Sequence, residues 1–255
     1  TAFSGGADSA FVAAVAHEVL GVSHAHAVTA VSPSLAGDEE ADCRLLATEW
    51  NLRWTPVNTA EMERAAYRAN DIDRCYHCKA ELMDVVGPIA ESEGATVILG
   101  VNVDDLADHR PGQRAALERG AVFPLVQAGF TKDDVRLASH AMGLRTWDKP
   151  AAACLASRVP YGTPVSVEIL SRVDRAEAAL HGLGFRQVRV RHYGETARIE
   201  VVETELEQAL SQRVAIIGAV KAAGYQYVTL DLEGFRSGNL NFGVTESSSG
   251  APSHS

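Results

Sequence analysis

A glycine-rich stretch at the start of the chain places the strongest constraint on its fold. The sequence TAFSGGADSAFVAAVA runs from Thr1 to Ala16. Thr1–Phe3 is typical of the end of a strand, and Ser9–Leu20 is apolar almost all round, which predicts a helix buried on most sides. Glycines at such a turn let the backbone approach an anion, and N–H groups at the helix start point towards it. The stretch predicts a phosphate-binding turn, with a plain tight turn and a helix cap as the alternative.

Strand-like and helix-like segments alternate through the first half of the chain. After the glycine-rich turn, the strand-like runs are HAVTAVS, RWTPVNT and ATVILG, and helical patterns lie between them. Uncharged strands that alternate with helices are typical of a buried parallel sheet. We therefore predict an α/β fold with a doubly wound parallel sheet over residues 1–150.

The pattern changes at residues 151–164, a connection that contains proline and glycine. Beyond it, a helical segment precedes RQVRVRHYG and TARIEVVE, two alternating runs around a glycine-containing turn, which predict a hairpin. We predict a smaller α+β domain over residues 165–242. Residues 243–255 are rich in Ser, Gly and Pro, and we expect this tail to be disordered.

The composition narrows the class of partner. The 255 residues carry a formal net charge of −10. This balance argues against a protein that holds a long nucleic acid, because phosphate binding needs a basic face. There is no apolar run long enough to span a membrane and no signal-peptide pattern. We expect a cytoplasmic protein with neither a nucleic-acid nor a membrane partner.

The polar residues of the opening stretch suit a nucleotide with its metal. Ser4 and Ser9 can add hydroxyl donors to the glycine turn. Asp8 would be a poor phosphate contact by itself, but Mg²⁺ takes oxygen ligands and bridges phosphates. The acid therefore predicts a Mg²⁺ ligand beside the phosphate site.

Three of the four cysteines are candidates for chemistry. Cys75 and Cys78 form a C-x-x-C pair, which is compatible with zinc, redox or iron–sulfur chemistry. Cys154 lies in a loop of small residues, and nearby Lys149 and Arg158 would favour a nucleophilic thiolate. The alternative is a packed structural cysteine, which is also what we expect for the fourth, Cys43.

Two further clusters of polar residues are candidate ligand contacts. Arg189 and Arg191 lie two residues apart on a strand and so share one face, which suits a phosphate. The alternative is a solvated hairpin face with Glu200 as a cross-strand partner. Asn102 and Arg110 belong to a polar loop that follows a parallel strand, the end of the sheet where ligands bind.

The sequence SGGADS resembles the pyrophosphate-loop (PP-loop) motif of the ATP pyrophosphatases. That resemblance implies a Rossmann-like fold and ATP cleavage between the α and β phosphates, which adenylates a carboxylate or carbonyl. It differs from the P-loop pattern, which needs Gly-Lys-Ser/Thr. The superfamily includes tRNA thiolases and amide-forming synthetases, so the motif leaves the acceptor open.

Three more segments, DRCYHCKAEL, GVNVDDLADHRPGQRAA and TWDKPAAACLASRVPYGTPVS, resemble the LarE family. The resemblance extends from Ala2 to about Asn241. It implies an ATP-dependent sulfur transferase that acts on a pyridinium dicarboxylate mononucleotide during synthesis of a nickel-pincer nucleotide. It also implies a homo-oligomer and a small-molecule nucleotide substrate.

The resemblance assigns the sulfur to Cys154. In some members three cysteines hold a [4Fe–4S] cluster with one open iron that can carry sulfide, and Cys75, Cys78 and Cys154 match that set. Other members sacrifice the sulfur of the single cysteine and leave dehydroalanine. Both routes stay open at this point.

The remaining site residues follow partly from the resemblance and partly, for Lys79, Arg110 and Lys132, from their positions beside the C-x-x-C pair, in the polar loop and in the first turn of a helix. For substrate binding they are Lys79, Arg110, Arg158, Arg189 and Arg191, with Glu177 as an active-site acid beside Cys154 and Asp8. For ATP binding they are Ser4, Gly5, Gly6, Asp8, Ser9, Gly100 and Lys132. Exposed lysines are the alternative interpretation of Lys79 and Lys132. The expected cofactors are ATP, Mg²⁺ and a [4Fe–4S] cluster. A nucleotide or iron–sulfur sensor without turnover is the rival from another class.

Overall fold

The structure is a computed structural model of the chain, and it describes residues 1–107, 111–150 and 153–236. The described residues form two compact units. The first unit consists of Thr1–Arg68 and Asp73–Cys154, and the second consists of Ala69–Ile72 and the residues from Leu155 onward. The unit boundary after Cys154 falls inside the predicted connection 151–164. The predicted domain limits and the disordered tail remain predictions, and the tail lies outside the described residues.

Parallel strands form the centre of the first unit. Strands β1 (His26–Val31) and β2 (Arg53–Asn58) pair in parallel. On the other side of β1, the amide of Phe3 donates to the carbonyl of Val28 at 2.8 Å. The predicted strand end at Thr1–Phe3 therefore belongs to the sheet.

Backbone hydrogen bonds extend the parallel sheet from Thr1–Phe3 to two further segments of the chain. The amide of Ala2 donates to the carbonyl of Ile98 at 3.0 Å, and the amide of Leu99 donates to Val122 at 3.0 Å. Ile98 and Val122 form a parallel bridge, so ATVILG contributes a bridge where a longer strand was expected. Parallel strands with helices between them make a mixed α/β fold that is compatible with a Rossmann-like arrangement.

Helices and short 3-10 turns connect these strands. The helices are α1 (Ala7–Leu20), α2 (Gly37–Glu49), α3 (Ala65–Ala69), α4 (Arg74–Ser92), α5 (Pro111–Leu117), α6 (Pro124–Gln127) and α7 (Lys132–Ala141). The predicted buried first helix is confirmed, since α1 buries the run from Ser9 to Ala14. Helix α5 begins inside the predicted polar loop, because proline suits the first turn of a helix.

In the part of the second unit that the structure describes, there are a three-stranded sheet and three α-helices. Helix α8 (Val167–Gly182) precedes the hairpin of β3 (Val188–Tyr193) and β4 (Thr196–Val201), which pair antiparallel as predicted. Strand β5 (Tyr227–Leu230) pairs in parallel with β4. Between β4 and β5 lie α9 (Leu206–Ser211) and α10 (Arg213–Ala222).

The core of the second unit lies between α8, α10 and the sheet. Val188, Val190 and Ile199 contribute to it, together with Leu180 of α8 and Val220 of α10. All residues of β3 except Tyr193 are buried, so the strand is covered on both faces. This burial encloses the arginines of β3, which alternate with the apolar residues. None of the described helices has a stretch long and apolar enough to cross a membrane.

Candidate active site

The glycine loop, Ser4–Ser9, connects the first strand segment to α1. Gly5 has a φ of +68°, and a Cβ added to it would lie 3.0 Å from Cys43 Sγ. Both the backbone conformation and the space therefore favour glycine. Ser9 Oγ donates to the carbonyl of Gly6 at 3.1 Å and accepts the amide of Ser4 at 3.2 Å. These bonds fold the loop over the start of the helix.

The start of α1 leaves backbone donors available to an anion. Gly6 occupies the cap position, and no side chain of the described residues caps the helix there. The first N–H groups of a helix have no partner within the helix. With the helix dipole, these groups form the arrangement that phosphate prefers.

Gly100 packs against the backbone of the glycine loop at Asp8 and Ser9. A Cβ on Gly100 would lie 2.7 Å from the carbonyl carbon of Asp8 and 2.7 Å from the nitrogen of Ser9. Because those atoms are backbone, the first turn of α1 packs directly on Gly100. The structure thus places this predicted ATP-site residue against the loop, where it acts as a spacer.

Asp8 lies beside a polar cluster at the end of the sheet. Asn102, which is fully buried, donates from Nδ2 to Asp8 Oδ1 at 3.1 Å. Burial raises the pKa of Asp8 above its ordinary value, although the bond from Asn102 and the charge of Lys132 oppose that rise. A cation would stabilise the ionised carboxylate here.

Two lysines lie close to this loop. Lys132 starts α7, its charge acts on Asp8, and its amide donates to Asp104 at 2.8 Å. Lys149 Nζ would lie 3.7 Å from a Cβ on Gly5 and donates to Glu39 at 2.7 Å and to Asp42 at 2.8 Å. From the sequence, Lys149 was expected only to be a neighbour of Cys154. Its position close to the glycine loop was not predicted.

Three cysteines of the first unit lie close enough to influence one another, and we call Cys75, Cys78 and Cys154 the cysteine site. Desolvation raises the pKa of Cys75, and the charge of Cys154 raises it further. The pKa of Cys78 rises to about 12, mainly through desolvation, with Cys154 and Cys75 adding to the rise. None of the chain's four cysteines, all within the described residues, forms a disulfide.

Charged residues around α4 act on these thiols. Arg74 is buried, and its charge and hydrogen bond oppose the rise in the pKa of Cys75. Lys79 acts in the same direction on both Cys75 and Cys78. The predicted substrate residue Lys79 therefore lies near the cysteine site. On the other side, a Cβ on Gly112 would lie 3.0 Å from the carbonyl oxygen of Cys75, so α5 packs closely there.

A buried polar network lies beside the cysteine site. Tyr67 is fully buried, and its hydroxyl lies 2.6 Å from Ser34 Oγ. Burial raises the pKa of Tyr67, and the charges of Cys154 and Cys78 raise it further. Glu61 is buried and accepts a hydrogen bond from Ser32, while its Oε2 has no partner among the described residues. Because the network residues are scattered along the chain, no spacing in the sequence indicated them.

The second unit contains a buried cluster of charged residues, which we call the arginine site: Arg158, Arg189, Arg191, Glu177 and Glu200. Arg158 binds Glu177 through two hydrogen bonds of 2.9 and 2.8 Å. Glu177 Oε1 also accepts the amide of Val190 at 2.8 Å. The predicted active-site acid is thus bound on both oxygens, and its catalytic role remains a prediction.

Arg191 is paired in a similar way. Its Nη2 donates to Glu200 at 2.8 Å, and its Nη1 donates to the carbonyl of Ser157 at 2.8 Å. Glu200 also accepts from Arg198 at 3.0 Å, and Arg198 forms an ion pair with Asp231 at 3.4 Å. Glu200 is a cross-strand partner, as the alternative interpretation of the hairpin supposed, but the solvated face of that alternative is wrong, since Arg191 is 2% exposed.

Arg189 differs from its neighbours. It is 8% exposed, and its side chain makes no hydrogen bond and no ion pair within the described residues. Desolvation lowers its pKa to about 10, and the charges of Arg158 and Arg191 add to the decrease. At neutral pH the guanidinium is still charged. With Arg198 and Asp231 included, the cluster has four arginines and three acids, so one positive charge is in excess.

Comparison with known proteins relates almost the whole sequence to one named enzyme. It is 37% identical over 247 residues to the pyridinium-3,5-bisthiocarboxylic acid mononucleotide synthase of Lactiplantibacillus plantarum, covering 96% of this chain and 89% of that protein. The chain belongs to the LarE family.

Two other relatives carry no functional name. The chain is 46% identical over 249 residues to an uncharacterized protein of Synechocystis sp., covering 96% of this chain and 92% of that protein. It is 26% identical over 249 residues to an uncharacterized protein of Methanocaldococcus jannaschii, covering 92% and 90%. No protein-family model matches the chain.

Three thiols of this LarE chain are the described side chains that would hold an iron–sulfur cluster. Within the described residues, no group of three or more His, Cys, Asp or Glu side chains is arranged to hold one metal ion. An iron–sulfur cluster binds each thiolate through a different iron, so its ligands lie further apart. Cys75, Cys78 and Cys154 provide the three thiols of such a set. Asp8, whose Oδ1 accepts from Asn102, is the described carboxylate that would hold Mg²⁺.

The structure thus gathers the predicted site residues of this LarE chain into three groups. The first group surrounds the glycine loop, the second is the cysteine site with Lys79, and the third is the arginine site. The first two groups belong to the first unit and the third to the second unit. Arg110 lies outside the described residues.

Proposed function

We propose that this LarE-family chain is an ATP-dependent sulfur transferase that converts a carboxylate of a pyridinium dicarboxylate mononucleotide to a thiocarboxylate, in the synthesis of a nickel-pincer nucleotide. The observation that carries the proposal is the 37% identity, over almost the whole chain, to a protein named for the bisthiocarboxylic acid product. The glycine loop and the three cysteines supply the two reactive parts that such a reaction needs.

In this proposal the glycine loop binds the ATP that activates the carboxylate. The first domain, which contains the loop, has a doubly wound PP-loop fold. A substrate carboxylate oxygen attacks the α-phosphorus of ATP, and pyrophosphate leaves with the electron pair of the α–β bridge. Backbone donors of Gly5 and Gly6, with the hydroxyls of Ser4 and Ser9, bind the pyrophosphate part. Asp8 would hold Mg²⁺, which would offset the phosphate charge, and Lys132 adds a positive charge of its own.

Sulfur delivery belongs to the cysteine site. A sulfur nucleophile attacks the acyl carbon of the adenylate, the C–S bond forms, and AMP leaves with the C–O electron pair. If Cys154 is the donor, its Cβ–S bond then breaks, a proton leaves Cα, and dehydroalanine remains. In the other route, Cys75, Cys78 and Cys154 would hold a [4Fe–4S] cluster, which would supply the sulfur nucleophile in place of the cysteine.

Recognition of the substrate phosphate belongs to the arginine site. Within the described residues, the Arg189 side chain forms no ion pair, and Glu177 and Glu200 offset only part of the effect of burial on its pKa. A buried charge without a counter-ion is unfavourable, so binding an anion stabilises it. Glu177 and Glu200 hold Arg158 and Arg191 in fixed positions beside it. We propose that Arg189 contacts the phosphate and that Arg158 and Arg191 complete the positive surface.

The reaction is tested with the full chain, ATP, Mg²⁺ and the pyridinium dicarboxylate mononucleotide. We expect AMP and pyrophosphate in equal amounts, and thiocarboxylate detected by mass spectrometry. Asp8→Asn removes the metal ligand but keeps the size of the side chain, and we expect it to suppress AMP release. Asp133→Asn, an exposed change on α7, is the matched control and retains AMP release. If the wild-type protein forms no AMP, the proposal is wrong.

The source of sulfur is tested separately by measuring iron and acid-labile sulfide after purification without oxygen. Iron and sulfide in cluster proportion, lost in Cys75→Ser, would assign the three thiols to a cluster. No iron in either protein, with the mass of one sulfur atom lost at Cys154 after one turnover, would assign the sulfur to the cysteine itself. An intact Cys154 without iron would contradict both routes.

A further inference from the structure

The position of Arg189 in the hairpin raises the question of what holds it in place. In the register of β3 and β4, Arg189 lies opposite Glu200. Both oxygens of Glu200 are already bound, Oε2 by Arg191 and Oε1 by Arg198. The carboxylate that the strand pairing offers to Arg189 is therefore occupied. Some other contact must fix this guanidinium.

That contact is Phe235. The guanidinium carbon of Arg189 lies 4.5 Å from the centroid of the Phe235 ring, the shortest of the arginine–aromatic distances among the described residues. A cation over an aromatic face is attracted by the negative charge on that face. The ring has no hydrogen-bond acceptor, so the five N–H donors of the guanidinium remain available. A stacked ring orients the cation without neutralising it.

The backbone around Phe235 fixes the ring in turn. The amide of Phe235 donates to the carbonyl of Val201, at the end of β4, at 2.7 Å. Gly234 has a φ of +71°, and a Cβ on it would lie 2.9 Å from the same carbonyl oxygen. Only glycine allows this close approach without strain. The turn at Gly234 therefore places the ring against β3 and β4.

We propose that Phe235 is a positioning residue that holds the guanidinium of Arg189, with its donors free, for the phosphate group of the nucleotide substrate. The inference rests on the proposed function, which assigns the phosphate to the arginine site. It adds a residue that touches no substrate atom and acts only through Arg189. A carboxylate in the same place would cancel the charge that the phosphate needs.

The test measures binding of inorganic phosphate by calorimetry, with the ATP site occupied by a non-hydrolysable ATP analogue. Phe235→Leu removes the aromatic face and keeps an apolar side chain, and we expect phosphate affinity to fall about tenfold. Phe235→Tyr keeps the face, and we expect affinity within about twofold of wild type. Phe235→Met is the second variant if Phe235→Leu does not fold, as judged by circular dichroism.

Tyr193→Leu is the matched control. The Tyr193 ring lies 5.2 Å from Arg198, a guanidinium that already has carboxylate partners in Glu200 and Asp231. We expect this variant to bind phosphate like wild type. Equal losses in Phe235→Leu and Tyr193→Leu would indicate a general effect on the fold and would overturn the inference.

Arg189→Gln separates the inference from the function on which it rests. If Arg189→Gln abolishes phosphate binding and Phe235→Leu leaves it unchanged, the positioning role is wrong and the phosphate site survives. If Arg189→Gln binds phosphate like wild type, the phosphate assignment itself is wrong. In the full reaction we expect Phe235→Leu to raise the KM of the pyridinium nucleotide, while the KM of ATP and kcat stay unchanged. A change in kcat alone would contradict a positioning role.

Discussion

The cysteine site of the first unit and the arginine site of the second compensate their charges in opposite ways. In the arginine site, Glu177 and Glu200 already neutralise Arg158 and Arg191, and one guanidinium is left in excess. In the cysteine site, desolvation and the charges of the neighbouring cysteines raise the pKa of Cys75 and Cys78, while Lys79 opposes that rise. Ion pairs hold the binding groups of the arginine site in fixed positions, whereas thiols whose pKa is raised by desolvation suit a site completed by a reactant or a metal.

The largest expected effect comes from a variant that removes the reactive sulfur of the cysteine site. Cys154→Ser removes the sulfur and keeps a side chain of similar size, so we expect no detectable thiocarboxylate with either source of sulfur. Adenylation belongs to the glycine loop, and exchange of pyrophosphate into ATP in the presence of the pyridinium substrate should persist. The measurement is product mass together with the exchange rate. Loss of exchange along with thiocarboxylate would show that the two sites are not separate in function.

Cys43→Ala is the control for that variant. Cys43 is fully buried in the first unit and lies outside the cysteine site. We expect this variant to lose some stability and to retain thiocarboxylate formation. A Cys43→Ala protein that folds but forms no product would assign chemistry to a residue interpreted here as core.

The second-largest expected effect comes from a variant that removes a buried carboxylate of the arginine site. Glu200→Gln removes the charge that Arg191 and Arg198 share, and leaves a buried arginine without compensation. We expect the free energy of unfolding to fall by about 3–5 kcal/mol, measured by urea denaturation.

Glu168→Gln supplies the contrast for Glu200→Gln on the same unit. Glu168 pairs with Arg172 at 3.4 Å, but its side chain is 83% exposed. Solvent screens such a pair, so the expected loss is below about 1 kcal/mol. Similar losses in the two variants would show that the arginine site is not the rigid, desolvated cluster described above.

The features of the candidate sites that depend on local sequence pattern could be predicted from the sequence. The glycine loop, the buried α1 and the hairpin that carries Arg189 follow from spacing and periodicity, and the structure confirms them. Tyr67, Glu61 and Phe235 were missed, because each approaches its site through contacts between residues distant in the chain. Burial of Arg191 was also unpredictable, since alternation on a strand does not show whether its polar face is covered.

The third effect sharpens the claim that burial controls the thiols of the first unit. Cys43 is a suitable reporter, because no metal is expected there. Burial raises its pKa to about 11 from an ordinary value of 9.0. A raised pKa means that the folded state keeps its proton where the unfolded state loses it. The resulting stabilisation is fully present below pH 9.0 and is lost as the pH rises through about 11.

The measurement is the difference in unfolding free energy between wild type and Cys43→Ala, followed from pH 8 to pH 11.5. Subtraction removes the tyrosines and lysines that titrate in the same range. We expect the difference to shrink by about 2–3 kcal/mol, since each pKa unit corresponds to about 1.4 kcal/mol. A constant difference would mean that Cys43 ionises in the folded protein as it does in water.

The smallest effect compares a glycine of the first unit that supports a site with a glycine of the second that does not. In Gly100→Ala, the new Cβ would lie 2.7 Å from the backbone of Asp8 and Ser9, so the first turn of α1 must move. We expect a loss of about 2 kcal/mol in stability and weaker ATP binding by calorimetry. In Gly218→Ala, on α10, the new Cβ meets no atom within 4 Å, and alanine favours the helix. That variant should gain up to about 1 kcal/mol and bind ATP normally. Unchanged ATP affinity in Gly100→Ala would mean that the glycine loop binds nucleotide independently of its packing on the sheet.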